Sequence, residues 1–457
     1  MKPIEKILIA LSIFLVAFYY IFVSFLSTRP SNETGSYTET AYAILTQGKF
    51  IAPSSRGILD MDKLTYWILP LHSFFQVPFY ILLGFGMWQI TLIQIVILIL
   101  SMLVVKKFAN FLTISAIVPI VLLLTNRNFL VDSLASRPDT LGVLFGTLSI
   151  LAVMMLQKYD KKILIFITGI SLGLSILSYQ LSVIYALSIA LFLIWQKKFK
   201  QLFQITLISV VIVIPYLFYI LISPQTFLLQ MSGIYKTVEF TDVFEILKTE
   251  FWRYVDFAFY APAFALLFLY SLYKSLKERK KETLFISLTI IIFLLSFAIM
   301  THKLSFQMIF VMPLMAILIG YYVKDYRIIT LAIIINFAVA MVNIAMNLPT
   351  QNNPSFLSMS DEILQKTDDM VLTYATFFPT LKERTFSYEG LRYAYLLGMN
   401  ISKIVEDVKP AYIILPWDDG FKDKILTNYQ LNFTIKRIQP SILFGNIDRS
   451  LEVYKRS

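Results

Sequence analysis

The 457-residue chain has no cysteine, two histidines (His72 and His302) and few charges, 15% of residues against about 25% in ordinary soluble domains. The absence of Cys excludes disulfides, Cys-ligated zinc and thiol catalysis. Two histidines argue against a His-rich metal site. In place of charge stand apolar residues, 57% of the chain, with a mean hydropathy of +0.70. A soluble protein of this length cannot hide so much apolar surface, so lipid is the solvent for most of it.

Eleven apolar runs are long enough, or nearly so, to cross a hydrocarbon core: about 7–26, 87–105, 111–126, 140–156, 163–179, 181–195, 203–223, 258–273, 284–301, 306–323 and 329–348. The net charge of +11 arises entirely in residues 1–350, because 351–457 carry 13 basic and 13 acidic side chains. Nucleic-acid binding is one reading of a basic chain, but topology explains this one better, and no nucleic-acid partner is expected. Lys2 and Lys6, Lys106 and Lys107, Lys158 to Lys162, Lys197 to Lys200, "KSLKERKK" at 274–281, and Lys324 with Arg327 occupy alternate connections. The positive-inside rule assigns these to the cytoplasm. The opposite connections hold eleven of the sixteen acids in residues 1–350. Residues 66–86, with Pro70, Pro78 and several aromatics, read as an interfacial or re-entrant segment on the outer face.

The expected fold is mostly α: a polytopic membrane helical bundle over 1–349, with a first outer loop at 27–86 containing interfacial helices. A linker, "NLPTQNNPS", leads to an extracytoplasmic α/β domain over 350–457. Its strands are expected at "MVLTYA", "AYIILP", "NFTIKRI" and "LEVYKR", with one helical pattern over 388–408. Residues 224–257 read as an outer amphipathic segment near the mouth, in which Trp252 and Arg253 either touch the acceptor or sit at the membrane interface.

Outer-loop charges form a constellation. Glu33, Glu39, Asp60, Asp62 and Lys63 belong to the first loop, Asp132, Arg137 and Asp139 to the second, and His302 and Lys303 to the fifth. In a compact bundle these loops converge on one mouth, where carboxylates face cations that hold an anion. Such an arrangement suits group transfer from a phosphate-linked donor.

The stretch "ETGSYTETAYAILTQGKF…DMDKLTYWILPLH" resembles the first outer loop of GT-C glycosyltransferases, in the protein O-mannosyltransferase and aminoarabinose-transferase-like branch. "SRPDTLGVLFGTLSIL" is similar to that branch's second loop, and "THKLSFQMIFVMPLMAILIG" to its later basic loop and span. Departures are Thr34 where a second acid is usual, "KLT" where Lys-Pro-Pro is common, and "SYQLS" where a basic residue often follows the fifth span.

The resemblance implies a polyprenyl-phosphate monosaccharide donor and inverting attack by a hydroxyl of an acceptor glycan, lipid or protein, through an oxocarbenium-like transition state. It implies Glu33 as general base with Asp139 orienting the acceptor or sharing that role. Lys63, Arg137, His302 and Lys303 would hold the donor phosphate, and Tyr37, Glu39, Asp60, Asp62 and Tyr66 would line the substrate site. No cofactor is implied, and "DMD" at 60–62 is not expected to hold a metal. The expected location is the plasma membrane of a prokaryote, with the N-terminus cytoplasmic. The rival reading is a multi-pass transporter of a small solute or lipid-linked intermediate. Transporters place ionisable groups inside the spans, whereas these spans are nearly free of charge.

Overall fold

The structure, a computed structural model, describes residues 3–26, 33–236, 243–300, 305–350, 355–367, 369–373, 377–396, 398–416, 425, 426, 428–435, 438–441, 445–448 and 451–456. Helices α1 (Pro3–Ile21, continuing as a π-helical turn to Leu26), α2 (Glu33–Gln47), α3 (Pro70–Leu83) and α4 (Met87–Phe111) come first. There follow α5 (Ile117–Leu124), α6 (Arg127–Leu134), α7 (Asp139–Tyr159), α8 (Lys162–Ser178), α9 (Val183–Trp195), α10 (Phe199–Ile220), α11 (Pro224–Lys236) and α12 (Val243–Tyr260). The bundle closes with α13 (Pro262–Glu278), α14 (Lys281–Ile299), α15 (Met312–Tyr322) and α16 (Tyr326–Met346).

Among the described residues, six helices are long and apolar enough to cross a membrane. Two helix pairs, α5–α6 and α12–α13, pass the same test but bend by 73° and 113°, and three shorter apolar helices complete the set. All eleven apolar runs of the sequence therefore appear as helices, and the protein is an integral membrane protein. The run at 111–126 differs from its expected form, because α5 covers only eight residues. Asn126 stops it: its side chain accepts from the backbone N–H groups of Asn128 and Phe129 and starts α6 in a new direction. Residues 224–236 and 243–260 are helical.

Small residues let neighbouring spans approach closely. A Cβ placed at Gly169 or Gly173 of α8 would meet Ile208 or Ile212 of α10 at 2.7 Å. Ser209 Oγ of α10 also donates to the Gly169 carbonyl at 2.9 Å.

After α16 the chain forms α17 (Phe356–Lys366), β1 (Val371–Thr373), α18 (Phe378–Leu381), β2 (Thr385–Ser387), α19 (Tyr388–Leu396), α20 (Ile401–Val408), β3 (Tyr412–Pro416), β4 (Tyr429–Ile435), β5 (Ile438–Ser441), β6 (Gly445–Asp448) and β7 (Leu451–Arg456). The main sheet has the order β2-β1-β3-β7-β4, with β1 parallel to β2 and β3 and with β7 antiparallel to its neighbours. The single helix expected over 388–408 is two. Gly398, at a φ of +78°, ends the first, and the Asn400 side chain caps the second by accepting from Lys403 N–H.

Alternation along the strands gives the sheet two apolar faces. Val371, Tyr412, Ile414, Leu451 and Val453 pack with Ala41, Tyr80, Ile90, Ile93, Leu141 and Leu144, on α2, α3, α4 and the first turns of α7. Leu372, Phe386 and Ile413 face the other way, packing with Leu391 and Ile404 and with Ala52, Ile58, Leu59 and Met61 of the first loop. The sheet thus sits on the ends of the membrane helices and grips the loop that follows α2.

Candidate active site

Asp139 opens α7, where the exposed N–H groups of a helix start favour negative charge. Arg137 Nε donates to both of its carboxylate oxygens, at 3.1 and 3.0 Å. Both residues are buried, Arg137 3% and Asp139 0% exposed, so each charge depends on the other. Pro138 between them fixes the turn that brings the guanidinium back onto the carboxylate.

A buried polar network supports this turn. Ser136 Oγ accepts from Gln76 Nε2 of α3 at 3.0 Å and from Gln94 Nε2 of α4 at 3.4 Å. Gln94 Oε1 and the Arg137 carbonyl both lie within reach of Thr140 Oγ1, at 3.1 and 2.8 Å. Gln76 Nε2 lies 2.7 Å from His72 Nε2, and Tyr80 donates to Gln76 Oε1 at 3.3 Å. Both amide hydrogens of Gln76 are then used, so His72 Nε2 accepts and the proton sits on Nδ1. Burial lowers the His72 pKa to about 3, and the ring stays neutral. The sequence reading missed this network because its members are isolated polar residues in separate apolar runs. A Gln at one side of α3 and another in α4 were the available signal.

A second charged group adjoins the first. Asp132 of α6 lies within electrostatic range of Asp139, Arg127 and Asp256. The Arg127 guanidinium stacks 4.2 Å from the Tyr260 ring centre. Trp252 and Arg253, read together from the sequence, point apart: Trp252 is exposed, whereas Arg253 is buried, paired with Glu250 and donating to Gln307 at 2.7 Å.

The first loop brings the remaining expected residues to the same end. Glu39, buried on α2, accepts from Ser54 N–H at 2.8 Å and so ties the helix to the loop. Ala52 N–H bonds the Met61 carbonyl at 2.8 Å, closing the loop on itself. Leu59 and Asp60 take positive φ, 50° and 55°, to turn the chain. Lys63 Nζ then reaches Asp60 at 2.7 Å in an exposed pair. The hydrogen bond and charge of Asp60 raise the Lys63 pKa, so the cation persists. Asp62 is half-buried, and its Oδ1 has no partner among the described residues. Tyr66 is buried, its hydroxyl donating to the Tyr219 carbonyl at 3.2 Å and its N–H to Gln230 at 2.8 Å. Tyr37 is half-buried on α2.

Glu33 is the first residue of α2, but its side chain lies outside the described residues, as do His302 and Lys303. No group of three acidic or His side chains suited to a metal ion occurs among the described residues.

Solved structures share this fold over nearly the whole chain. ArnT from Cupriavidus metallidurans bound to undecaprenyl phosphate superposes with a TM-score of 0.69 at 14% identity, covering 98% of this chain and 97% of that one. The fold is that of the GT-C superfamily. The oligosaccharyltransferase of Archaeoglobus fulgidus in its apo form shares the GT-C fold more distantly, with a TM-score of 0.54 at 12% identity over 96% of this chain and 74% of that one. A structure of the same organism's AglB in complex with an inhibitory peptide and a dolichol-phosphate gives 0.54 at 11% identity, over 98% and 74%. The sequence model of the dolichyl-phosphate-mannose-protein mannosyltransferase family matches residues 69–224, from α3 to the start of α11. No curated protein matches by sequence.

Proposed function

We propose that the protein transfers a monosaccharide from a polyprenyl-phosphate donor to an acceptor hydroxyl, with inversion, on the extracytoplasmic face. The observation that carries this reading is the buried Arg137–Asp139 pair at the start of α7, at the end of the bundle on which the C-terminal sheet packs. The GT-C fold and the similarity to a relative solved with undecaprenyl phosphate support it. In this reading residues 1–349 form the transferase domain and 350–457 an outer domain. The N-terminus is cytoplasmic and the membrane is the plasma membrane of a prokaryote.

The acceptor oxygen attacks the anomeric carbon as the bond from that carbon to the phosphate oxygen breaks. The acceptor proton passes to a carboxylate and polyprenyl phosphate leaves. Asp139 is held by two hydrogen bonds from the Arg137 guanidinium, which fix the direction of its carboxylate. That geometry suits orientation of the acceptor and leaves Glu33 as the base. Lys63 and Arg137 would offset negative charge that grows on the leaving phosphate.

The test uses the full chain reconstituted in lipid vesicles with a polyprenyl-phosphate sugar, following release of polyprenyl phosphate. Glu33→Gln should reduce turnover by roughly 10²- to 10⁴-fold, the usual contribution of a positioned base, with donor binding retained. If Glu33→Gln and Asp139→Asn both turned over at the wild-type rate, the mechanism would be wrong.

A further inference from the structure

A cavity of about 780 Å³ opens at the opposite end of the bundle, lined by Trp195, Gln196, Leu276, Arg279, Lys281 and Leu284. Connectivity fixes its place. The 21 residues of α7 run roughly 30 Å from Asp139. Near their far end Gln157 Nε2 donates to Gln201 Oε1, in the first turn of α10, at 3.1 Å. Trp195 ends α9 just before α10 begins at Phe199, so the cavity lies about a bundle length from Asp139.

Its lining combines two chemistries. Arg279 and Lys281 are exposed, and neither has an ion-pair partner among the described residues. The neighbouring acid, Glu278, is taken by Lys280 at 2.9 Å, which leaves Glu282 as the one acid beside them in sequence. Gln196, half-buried, adds an amide to the lining, and its Nε2 has no acceptor among the described residues. Lys197, Lys198 and Lys200 add positive charge to the same end. Trp195 and Leu276, in contrast, are 58% and 38% exposed on the lipid-facing surface. Tryptophan at the end of a span marks the level of lipid headgroups.

We propose that this cavity binds the phosphate headgroup of an anionic phospholipid. Arg279, Lys281 and the Gln196 amide hold the phosphate, and Trp195, Leu276 and Leu284 flank the acyl chains. Inorganic phosphate would satisfy the same donors, but it has no use for the apolar half of the lining. The site is independent of the transferase reading, since it lies at the other end of the bundle.

The test places the full-length protein in phosphatidylcholine vesicles containing a minor fraction of acyl-brominated lipid, either phosphatidylglycerol or phosphatidylcholine. Trp195 quenching is read as the difference between wild type and Trp195→Phe. Brominated phosphatidylglycerol should be enriched beside Trp195 by roughly fivefold per cation, and excess inorganic phosphate should leave that preference intact. The double variant Arg279→Gln/Lys281→Gln should quench equally with both lipids while the remaining tryptophans keep their emission. Equal quenching of the wild type by the two lipids would overturn the proposal, whatever the variant does. So would loss of the preference on adding inorganic phosphate, which would make this a free-phosphate site.

Discussion

Arg137 and Asp139 form a two-bond ion pair across a single proline, in a buried turn. Because both charges are buried, the pair is a mutual dependence. Removing one partner strands the other, a loss of about 3–5 kcal/mol. Arg137→Ala should therefore lower the thermal unfolding midpoint in detergent sharply. The double variant Arg137→Leu/Asp139→Leu should recover much of the loss. A double variant as unstable as the sum of both singles would show that the two residues act separately.

His72 makes a pH prediction. Its ordinary value is 6.5 and burial lowers it to about 3 in the folded protein. The unfolded chain therefore binds a proton between those values while the native state does not. Stability from this residue is complete above pH 6.5 and falls as pH drops toward 3, by about 1.4 kcal/mol per pH unit. Unfolding midpoints at pH 7 and pH 5 should differ more in the wild type than in His72→Gln. An identical difference in the two proteins would mean that His72 does not titrate with unfolding.

Lys63 is exposed and paired with Asp60, so its charge is available in the ground state. If it holds the donor phosphate, Lys63→Ala should weaken donor affinity and turnover together, because the phosphate is charged before and during reaction. Lys63→Arg should restore part of both. A change in turnover alone, with donor affinity untouched, would move Lys63 out of the donor site.

Topology is accessible because the chain has no cysteine of its own. With the N-terminus cytoplasmic, Lys403→Cys should react with an impermeant maleimide added outside intact cells, and Lys280→Cys should not. The reverse pattern would invert the bundle and place the proposed site on the wrong face.

The bundle was legible in the sequence wherever hydropathy alone decides structure. All eleven runs are helices, and the four expected strands fall on β1, β3, β4 and β7. What the pattern hid was direction. The bends at Asn126 and Ala261 turn on single residues within apolar stretches, and the break at Gly398 interrupts a helical period that continues on either side of it. At the site, Asp139 and Arg137 stood out because charge beside a span is costly. Gln76, Gln94, Ser136 and Thr140 did not, since their significance is a meeting of three helices that no local spacing records.

The grip of the C-terminal sheet on the first loop has a consequence for biogenesis. Arg56 donates to the Glu383 carbonyl at 2.9 Å, Ser387 N–H to the Ser54 carbonyl at 2.7 Å, and Ile58, Leu59 and Met61 share a core with Leu372, Phe386 and Ile413. Met61 and Leu372 stand about 310 positions apart, so at 5–20 residues per second the loop emerges roughly 15–60 seconds before its core exists. The segment bearing Lys63 is therefore translated early and set late. Synthesis that stops short of the sheet leaves a bundle in the membrane whose first loop keeps its ties to α2, α10 and α11 but lacks the core that buries Ile58, Leu59 and Met61.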